Sequence, residues 1–345
     1  MSYEVAILGA LWVGLTLYAL LGGADFGGGV WSVVASGTTA ERQRHLVAEA
    51  IAPVWEANHV WLIFVVTGLF AAFPRTFEVL SVALYLPFSI ALAGIVLRGA
   101  AFAFRSYADP RSGWQRTWTN IFGAASLITP LALGAAAGAI AAGGIHVHGD
   151  AIEAGIVSSW TSWLSATTAL LALAVCSYLA ASYLTVEAVA AGDPQLAEAF
   201  RVRALASGVA AGMIALAGLL VARADASILW HGMLHRGLPF VILSGIAGVV
   251  SLVATAARRY QLARVASATA VAAVLGGWGA AQWPLMIVPD LAVANAAAPH
   301  ATLRAVFIGL VAGGALLAPS LALLFRVFKS HREIGRPPAA GPVSE

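Results

Sequence analysis

The chain has 345 residues, of which 60% are hydrophobic and 10% are charged, and its formal net charge is +3. A soluble globular domain usually carries about a quarter charged residues, so this composition excludes an ordinary soluble protein and indicates an integral membrane protein. The small positive charge does not indicate nucleic acid as a partner, because no run of basic residues interleaved with aromatic residues occurs.

Apolar stretches long enough to cross a bilayer, which takes about 20 helical residues, occur nine times along the sequence. In chain order they cover approximately 4–35, 51–72, 79–104, 121–142, 159–186, 202–221, 238–257, 264–288 and 303–328. The sequence therefore predicts an all-α membrane protein with nine transmembrane helices in a single transmembrane domain, residues 1–328. Residues 329–345 are rich in proline and glycine, and we expect them to form a disordered cytoplasmic tail.

The distribution of basic residues predicts the orientation, because Lys and Arg collect in short cytoplasmic loops. With the N-terminus outside, 14 of the 19 Lys and Arg residues fall in cytoplasmic segments. Arg75, Arg223, Arg236 and Arg304 fall outside, and Arg98 lies within the third span. A missed helix would exchange the sides of every later loop, so we expect an outside N-terminus and a cytoplasmic C-terminus. The start, MSYEV, lacks a basic region and a cleavage site, so we expect the first helix to be retained.

The first three predicted helices carry ionisable side chains near their cytoplasmic ends. Asp25 lies about 30 Å along the first helix, and Arg98 lies near the end of the third. In the second helix, Glu56 and His59 lie about 8 and 12 Å from the cytoplasmic side and share one face, with Asn58 on a neighbouring face. Such groups are costly in hydrocarbon. Two interpretations remain equal: a proton entry path through these residues, or a structural ion pair of Arg98 with one of the two acids.

Other polar motifs carry weaker signals. The glycine-rich segments LLGGADFGGGV and LGGWGAA follow no βαβ strand and contain no GKS or GKT, so we expect close helix packing and not nucleotide binding. His146 and His148 alternate in an outside loop, which we expect to be solvated and free of metal. Of the eight histidines only His59 lies inside a predicted span, so we expect no haem bound by this chain alone. The single cysteine, Cys176, excludes an intrachain disulfide and indicates core packing.

Several blocks of the sequence resemble subunit II of the cytochrome bd-type quinol oxidases. They occur in order over nearly the whole chain: GGADFGGGVW, IAPVWEANHVWLIFVVTGLFAAFPRTFEVLSVALYLP, LRGAAFAFR, SYLTVEAV and WGAAQWPLMIVPDLAVANAAAPHATLRAVFIGL. The resemblance implies helix bundles as in the oxidase subunits, a multi-pass location in the bacterial cell membrane, and a heterodimer with a haem-bearing subunit I. That partner would hold two b-type haems and one d-type haem.

The resemblance also implies a reaction, in which the complex oxidises quinol and reduces oxygen to water. No catalytic residue, metal or cofactor is expected in this chain, and quinone, the lipid bilayer and further small subunits are expected as its other partners. In the family's W-acid-x-N-x-x-W block, the acid lies at a proposed proton route at the subunit interface and the last tryptophan borders an oxygen route. Here these positions are Trp55, Glu56, Asn58 and Trp61, with Trp55 expected at the same interface.

The family's G-x-D-x-G-x-G block falls on 23–29, which includes Asp25, and its arginine falls on Arg98. Three positions depart from the family's pattern. Ala24 stands where phenylalanine is common, Glu56 is one methylene longer than the frequent aspartate, and His59 adds a titratable group. The departures indicate a divergent branch.

Two alternatives to an active role in the oxidase remain. A proton-coupled secondary transporter also contains intramembrane acids and broken helices, although nine spans divide poorly into equal repeats. The chain could instead be a purely structural oxidase subunit, with its acids paired and inert. Trp12 and Trp61 lie deeper than the interfacial tryptophans and are candidates for core packing or for lining a quinone or gas path.

Overall fold

The computed structural model describes residues 2–52, 55–107 and 113–334. In chain order the elements are α1 (Tyr3–Leu17), a π-helical turn (Tyr18–Gly22), α2 (Gly23–Val34), α3 (Ala40–Ile51), α4 (Trp55–Ala72), α5 (Pro74–Ala83), α6 (Tyr85–Tyr107), α7 (Gly113–Ala142), β1 (His146–His148), β2 (Ala151–Glu153), a 3-10 turn (Ser158–Trp160), α8 (Trp163–Ala190), α9 (Pro194–Asp225), α10 (Ser227–Leu234), α11 (Leu238–Ala256), α12 (Tyr260–Gln282), β3 (Leu285–Ile287), β4 (Leu291–Ala292), α13 (Val293–Ala296) and α14 (His300–Ile334).

Nine helical segments of the described chain are long and apolar enough to cross a membrane, which confirms the predicted number. They are Tyr3–Val34, Trp55–Ala72, Tyr85–Phe104, Arg116–Ala142, Trp163–Ala190, Pro194–Asp225, Leu238–Ala256, Tyr260–Gln282 and His300–Leu317. The first combines α1, the π-helical turn and α2. The fold class is therefore an all-α bundle of membrane helices, joined by short connections and two small β-ribbons.

Several predicted boundaries differ from the structure, and the local sequence explains three of them. The third span begins at Tyr85 and not near residue 79, because α5 ends at Ala83 and α6 starts a new helix. The eighth ends at Gln282 and not at 288, since Pro284 cannot continue a helix and 285–287 pairs with β4 instead. Helix α14 continues to Ile334, so the predicted boundary at 328 falls inside a helix that has no glycine or proline between 320 and 334. Residues 335–345 of the predicted tail lie outside the described residues.

Glycines allow α2 to lie directly against two other helices, as predicted from the glycine-rich segment. A Cβ atom at Gly27 would overlap the carbonyl oxygen of Cys176 on α8, and one at Gly29 would overlap the hydroxyl of Ser126 on α7. Small residues permit such close backbone approach between membrane helices. Because α2 follows the π-helical turn, this packing fixes the part of the chain that carries Asp25.

The connection after α7 is more ordered than the predicted solvated loop. Strands β1 and β2 form an antiparallel hairpin, with His146 opposite Glu153. The Nδ1 atom of His146 lies 3.2 Å from Oδ2 of Asp290, and the backbone N–H of Val147 donates to the same oxygen. The hairpin is thus joined to the β3–β4 ribbon. Among the described residues, no group of three or more His, Cys, Asp or Glu side chains is arranged to hold a metal.

The close contact of α2 with α8 generates a testable prediction. Replacing Gly27 by Ala should lower the free energy of unfolding by about 1–3 kcal/mol, because the added methyl meets backbone that cannot move aside easily. Gly212→Ala is the matched control, since no atom lies within 4 Å of a Cβ built there. The midpoint of thermal unfolding and the purified yield measure the effect. Equal stability of the two variants would contradict the packing of α2 described above.

Candidate functional site

The π-helical turn between α1 and α2 determines where Asp25 lies. Residues Tyr18–Gly22 form this turn, and such single turns in longer helices occur frequently at functional sites. The ring of Tyr18 rests on Gly22, where an added Cβ would lie 2.9 Å from it. Asp25 follows in the first turn of α2 and is only 5% exposed. The carboxyl group is therefore inside the protein and not in contact with lipid.

Asn58 of α4 is the direct partner of Asp25. Its side-chain amide donates a hydrogen bond from Nδ2 to Oδ2 of Asp25 over 2.5 Å. Asn58 is as buried as Asp25, at 5% exposure. A buried carboxyl group requires such a partner, because leaving it without a hydrogen bond in an apolar environment is costly. The bond joins the first and second spans at this depth.

Arg98 of α6 brings the third span into the same cluster. It is 1% exposed, and its guanidinium carbon lies 5.0 Å from the ring centroids of both Phe26 and Phe122. Aromatic faces attract a cation, and the attraction is strongest where water is excluded. Phe26 directly follows Asp25 in α2, so the guanidinium lies in the same part of the bundle as this carboxyl group. We define Asp25, Asn58 and Arg98 as the buried charge cluster.

His59 lies beside this cluster among aromatic rings. Its ring centroid is 6.0 Å from that of Tyr18, 6.1 Å from that of Phe26 and 6.5 Å from that of Trp55. The buried Nδ1 atom of His59 and the buried hydroxyl of Tyr18 find no hydrogen-bond partner among the described residues. Buried polar atoms are rarely left in this state, so the region beside the cluster retains hydrogen-bonding capacity.

Glu56 is not brought into the buried charge cluster, although the predicted proton entry path included it together with Asp25 and Arg98. It is exposed, whereas Asn58 is buried. Residues two apart on a helix point about 200° apart, so the turn of α4 that directs Asn58 inward directs Glu56 outward. The structure therefore brings together Asp25, Asn58 and Arg98, places His59 at their side, and leaves Glu56 on the outer surface of this chain.

The two tryptophans of the W-acid-x-N-x-x-W block lie on either side of His59 along α4. Trp55 packs against Phe102, with ring centroids 5.7 Å apart, and over Gly99. Trp61 is partly buried and packs against a small apolar core formed by Tyr18, Phe26 and Cys176. The predicted core position of Cys176 is thereby confirmed.

Trp12 donates from its indole nitrogen to the carbonyl oxygen of Leu275 and contacts Trp278 edge to face. Trp12 therefore contributes to helix packing, which is one of the two roles predicted from its depth in the first span.

The aromatic partners of the cluster were not predicted from the sequence. Phe26 follows Asp25 directly and could have been suspected from that position. Tyr18 lies seven residues earlier, in the π-helical turn, for which the sequence has no simple signal. Phe122 is on α7, and its contact with Arg98 depends on how α6 and α7 pack.

Comparisons with known proteins agree on one family. A family model described as cytochrome bd terminal oxidase subunit II matches residues 3–328. The putative cytochrome bd menaquinol oxidase subunit II of Bacillus subtilis is 25% identical over 332 residues, which cover 92% of this chain and 93% of that protein. The cytochrome bd-I ubiquinol oxidase subunit 2 of Escherichia coli is 30% identical over 38% of this chain and 33% of that protein.

A solved structure supports the same relation. The chain resembles the structure of bd oxidase from Geobacillus thermodenitrificans with a TM-score of 0.76 and 25% identity, covering 95% of this chain and 99% of that chain.

The buried charge cluster generates a prediction that a double-mutant cycle can measure. Asp25→Asn and Arg98→Gln should each lower the free energy of unfolding by about 3–5 kcal/mol, because each removes an opposite charge from beside a buried charged group. The double variant should lose clearly less free energy of unfolding than the sum of the losses in the two single variants. Denaturant titration of the purified protein in mixed micelles gives the three values.

The exposed pair of His45 and Glu49, 3.3 Å apart, is the matched control for this cycle. Its coupling should stay below about 1 kcal/mol, as for other surface pairs. If Asp25 and Arg98 showed coupling as small as the control pair, the buried charge cluster would not be a unit.

Proposed function

The chain belongs to the family of subunit II of the cytochrome bd terminal oxidases, and we propose that it supports a haem-bearing partner subunit and gives protons or oxygen access to it. The complexes of this family are quinol:oxygen oxidoreductases, which oxidise quinol and reduce oxygen to water. The chain is a multi-pass integral membrane protein of the bacterial cell membrane. Family membership does not favour the proton-coupled secondary transporter. The observation that carries the proposal is the match over 3–328 together with the buried charge cluster inside the matched region.

The partner subunit holds the redox centres in this proposal, namely two b-type haems and one d-type haem. A six-coordinate haem needs two axial ligands from side chains such as His or Met within the membrane. Within the described spans, His59 is the histidine that lies inside the bundle, and it is packed among three aromatic rings. One such residue does not fit a haem site, so the chain acts without a haem of its own. Quinone and further small subunits bind the complex through the partner or at the boundary between the two.

Glu56 and the buried charge cluster divide the proton role between them. Glu56 is exposed on this chain and faces the surface that a partner subunit can cover, so it exchanges protons at that boundary. Asp25 and Asn58 are buried and His59 lies beside them, so these residues extend the hydrogen-bonding groups toward the bundle interior. The positive charge of Arg98 balances the negative charge of an ionised acid in this region. The cytoplasm supplies the protons, in keeping with a cytoplasmic position for this end of α4 and an outside N-terminus.

Trp61 and Trp55 form the wall between this polar region and the lipid. Trp61 packs on the apolar core beside the cluster and near the exposed face of α4, where a small apolar gas can pass from the bilayer. Trp55 closes the end of α4 against α6. These two residues therefore border the oxygen route or the subunit interface, while the acidic side chains exchange protons.

The identity of the complex generates a prediction about its spectrum. Purification through a tag on this chain should recover a second membrane chain, and the reduced-minus-oxidised difference spectrum should show b- and d-type haem. Addition of quinol should cause oxygen uptake. A purified complex with neither haem absorbance nor quinol-dependent oxygen uptake would contradict the proposed function.

The proton role of Glu56 generates a separate prediction. Glu56→Gln should slow proton uptake during turnover by about tenfold or more, since an amide cannot exchange a proton in this way. Glu56→Asp should restore most of the rate, because the family frequently has aspartate at this position. Proton uptake is followed by charge movement in liposomes that contain the assembled complex.

The control variant is Glu49→Gln on α3, which removes an exposed carboxylate of the same membrane end. It should leave oxygen uptake and charge movement unchanged. Normal oxygen uptake, haem content and charge movement in the Glu56→Gln complex would overturn the proton role and favour a purely structural subunit.

A further inference from the structure

Helix α10 lies at the opposite membrane end from the buried charge cluster. It connects the end of α9 at Asp225 to the start of α11 at Leu238, both of which are membrane spans. Spans alternate in direction, so α10 lies at the same end as the N-terminal residue of α1. A short helix between two spans at this level is at the boundary between the lipid headgroups and the acyl chains.

One side of α10 forms a cavity of about 490 Å³ with the end of α12. The lining residues are Ser227, Ile228, His231, Gly232, His235, Arg236, Ala281, Gln282, Trp283, Pro284 and Leu285. No acidic side chain is among the described residues that line it. Asp225 and Arg223, at the end of α9, are not part of the lining. The cavity is therefore a cationic recess at the membrane surface.

Both histidines in the cavity are oriented in the same way. Nδ1 of His231 lies 2.7 Å from the carbonyl oxygen of Ser227, and Nδ1 of His235 lies 2.7 Å from the carbonyl oxygen of His231. An imidazole that donates from Nδ1 to a carbonyl has only Nε2 left for another partner. Each ring thus retains one nitrogen that can donate to an anion once the ring is protonated.

Arg236 supplies the permanent positive charge of the cavity. Its Nη1 donates to the carbonyl oxygen of Trp283, which fixes the guanidinium at the end of α12. The amide of Gln282 is already used, since it accepts from Trp278 and donates to the carbonyl oxygen of Met286. The remaining donors of Arg236 and the two Nε2 atoms are the groups available to a ligand.

The other side of α10 borders an apolar cavity of about 310 Å³. Its lining residues are Leu216, Leu219, Leu220, Trp230, Met233, Leu234, Leu238 and Val241. Helix α10 and the two residues after it therefore present a cationic edge to one cavity and an apolar edge to another. This combination matches a molecule with an anionic head and hydrocarbon tails.

We propose that α10 binds an anionic phospholipid, whose phosphate occupies the cavity of Arg236, His231 and His235 and whose acyl chain lies along the apolar cavity. A guanidinium binds a phosphate through charge-assisted hydrogen bonds, which are stronger than those between neutral groups. A metal ion is disfavoured, because two imidazoles without a carboxylate stand beside a permanent positive charge. A phosphate free in solution gains nothing from the apolar cavity.

An imidazolium donates from Nε2 as well as from Nδ1, so each of the two rings can add a donor to those of Arg236. Ser227 contributes a hydroxyl group from α10, and the end of α12 contributes the amide of Gln282, which is already hydrogen-bonded. The charges of Arg223 and Asp225 are outside the cavity and oppose each other.

The test uses the whole purified complex, including its partner subunit, in micelles that contain phosphatidylglycerol and phosphatidylcholine. Native mass spectrometry counts the bound lipids for the unaltered complex and for Arg236→Gln, His231→Gln and Arg223→Gln. Arg236→Gln should weaken phosphatidylglycerol binding by about tenfold, and His231→Gln should weaken it by a smaller factor. Arg223→Gln, outside the cavity, should bind like the unaltered complex.

Two additions identify the source of the ligand. Millimolar inorganic phosphate should not displace the lipid, and displacement would show a site for a free anion instead. Zinc ion that competed with the lipid and lost its effect in His231→Gln would show a metal site and overturn the proposal. Equal binding of phosphatidylcholine and phosphatidylglycerol, or equal binding by Arg236→Gln and the unaltered complex, would also overturn it.

Discussion

The burial of the Arg98 guanidinium is the constraint on which the packing of the first three spans around Asp25 depends. A full charge inside the membrane requires compensation from every side, since neither water nor lipid supplies it. Asp25 offers the opposite charge, and Phe26 and Phe122 offer their ring faces at 5.0 Å. Together with Arg98 on α6, these groups come from three different helices, so the helices must meet there. The helices can approach each other this closely because glycines let α2 pack directly against α7 and α8.

Helix α4 has two chemically different faces because of this constraint. Asn58 points inward and completes the hydrogen bonding of Asp25, while Glu56 points outward together with the exposed apolar residues Val60 and Ile63. An acid among exposed apolar side chains is costly in lipid and is better accommodated against another protein. The same helix can therefore hold the fold together on one face and exchange protons with a partner on the other.

The sequence predicted the parts of this arrangement that depend on composition. Nine spans follow from hydropathy, and Asp25 and Arg98 stood out because charges are rare within spans. The outward direction of Glu56 was not predicted, since its shared face with His59 did not reveal that Asn58 would be the inward residue. Phe122 and the π-helical turn were also missed. Contacts between helices distant in sequence, and an extra residue in one turn, leave no periodic signal in the chain.

A density map of the purified oxidase complex that resolves side chains is the most direct measurement of the central claim. The account predicts the guanidinium of Arg98 between the rings of Phe26 and Phe122, with the amide of Asn58 bonded to the carboxyl of Asp25 and Glu56 on the opposite side of α4. A map in which Arg98 extends toward lipid, or in which Asp25 and Arg98 lie at different depths, would contradict it.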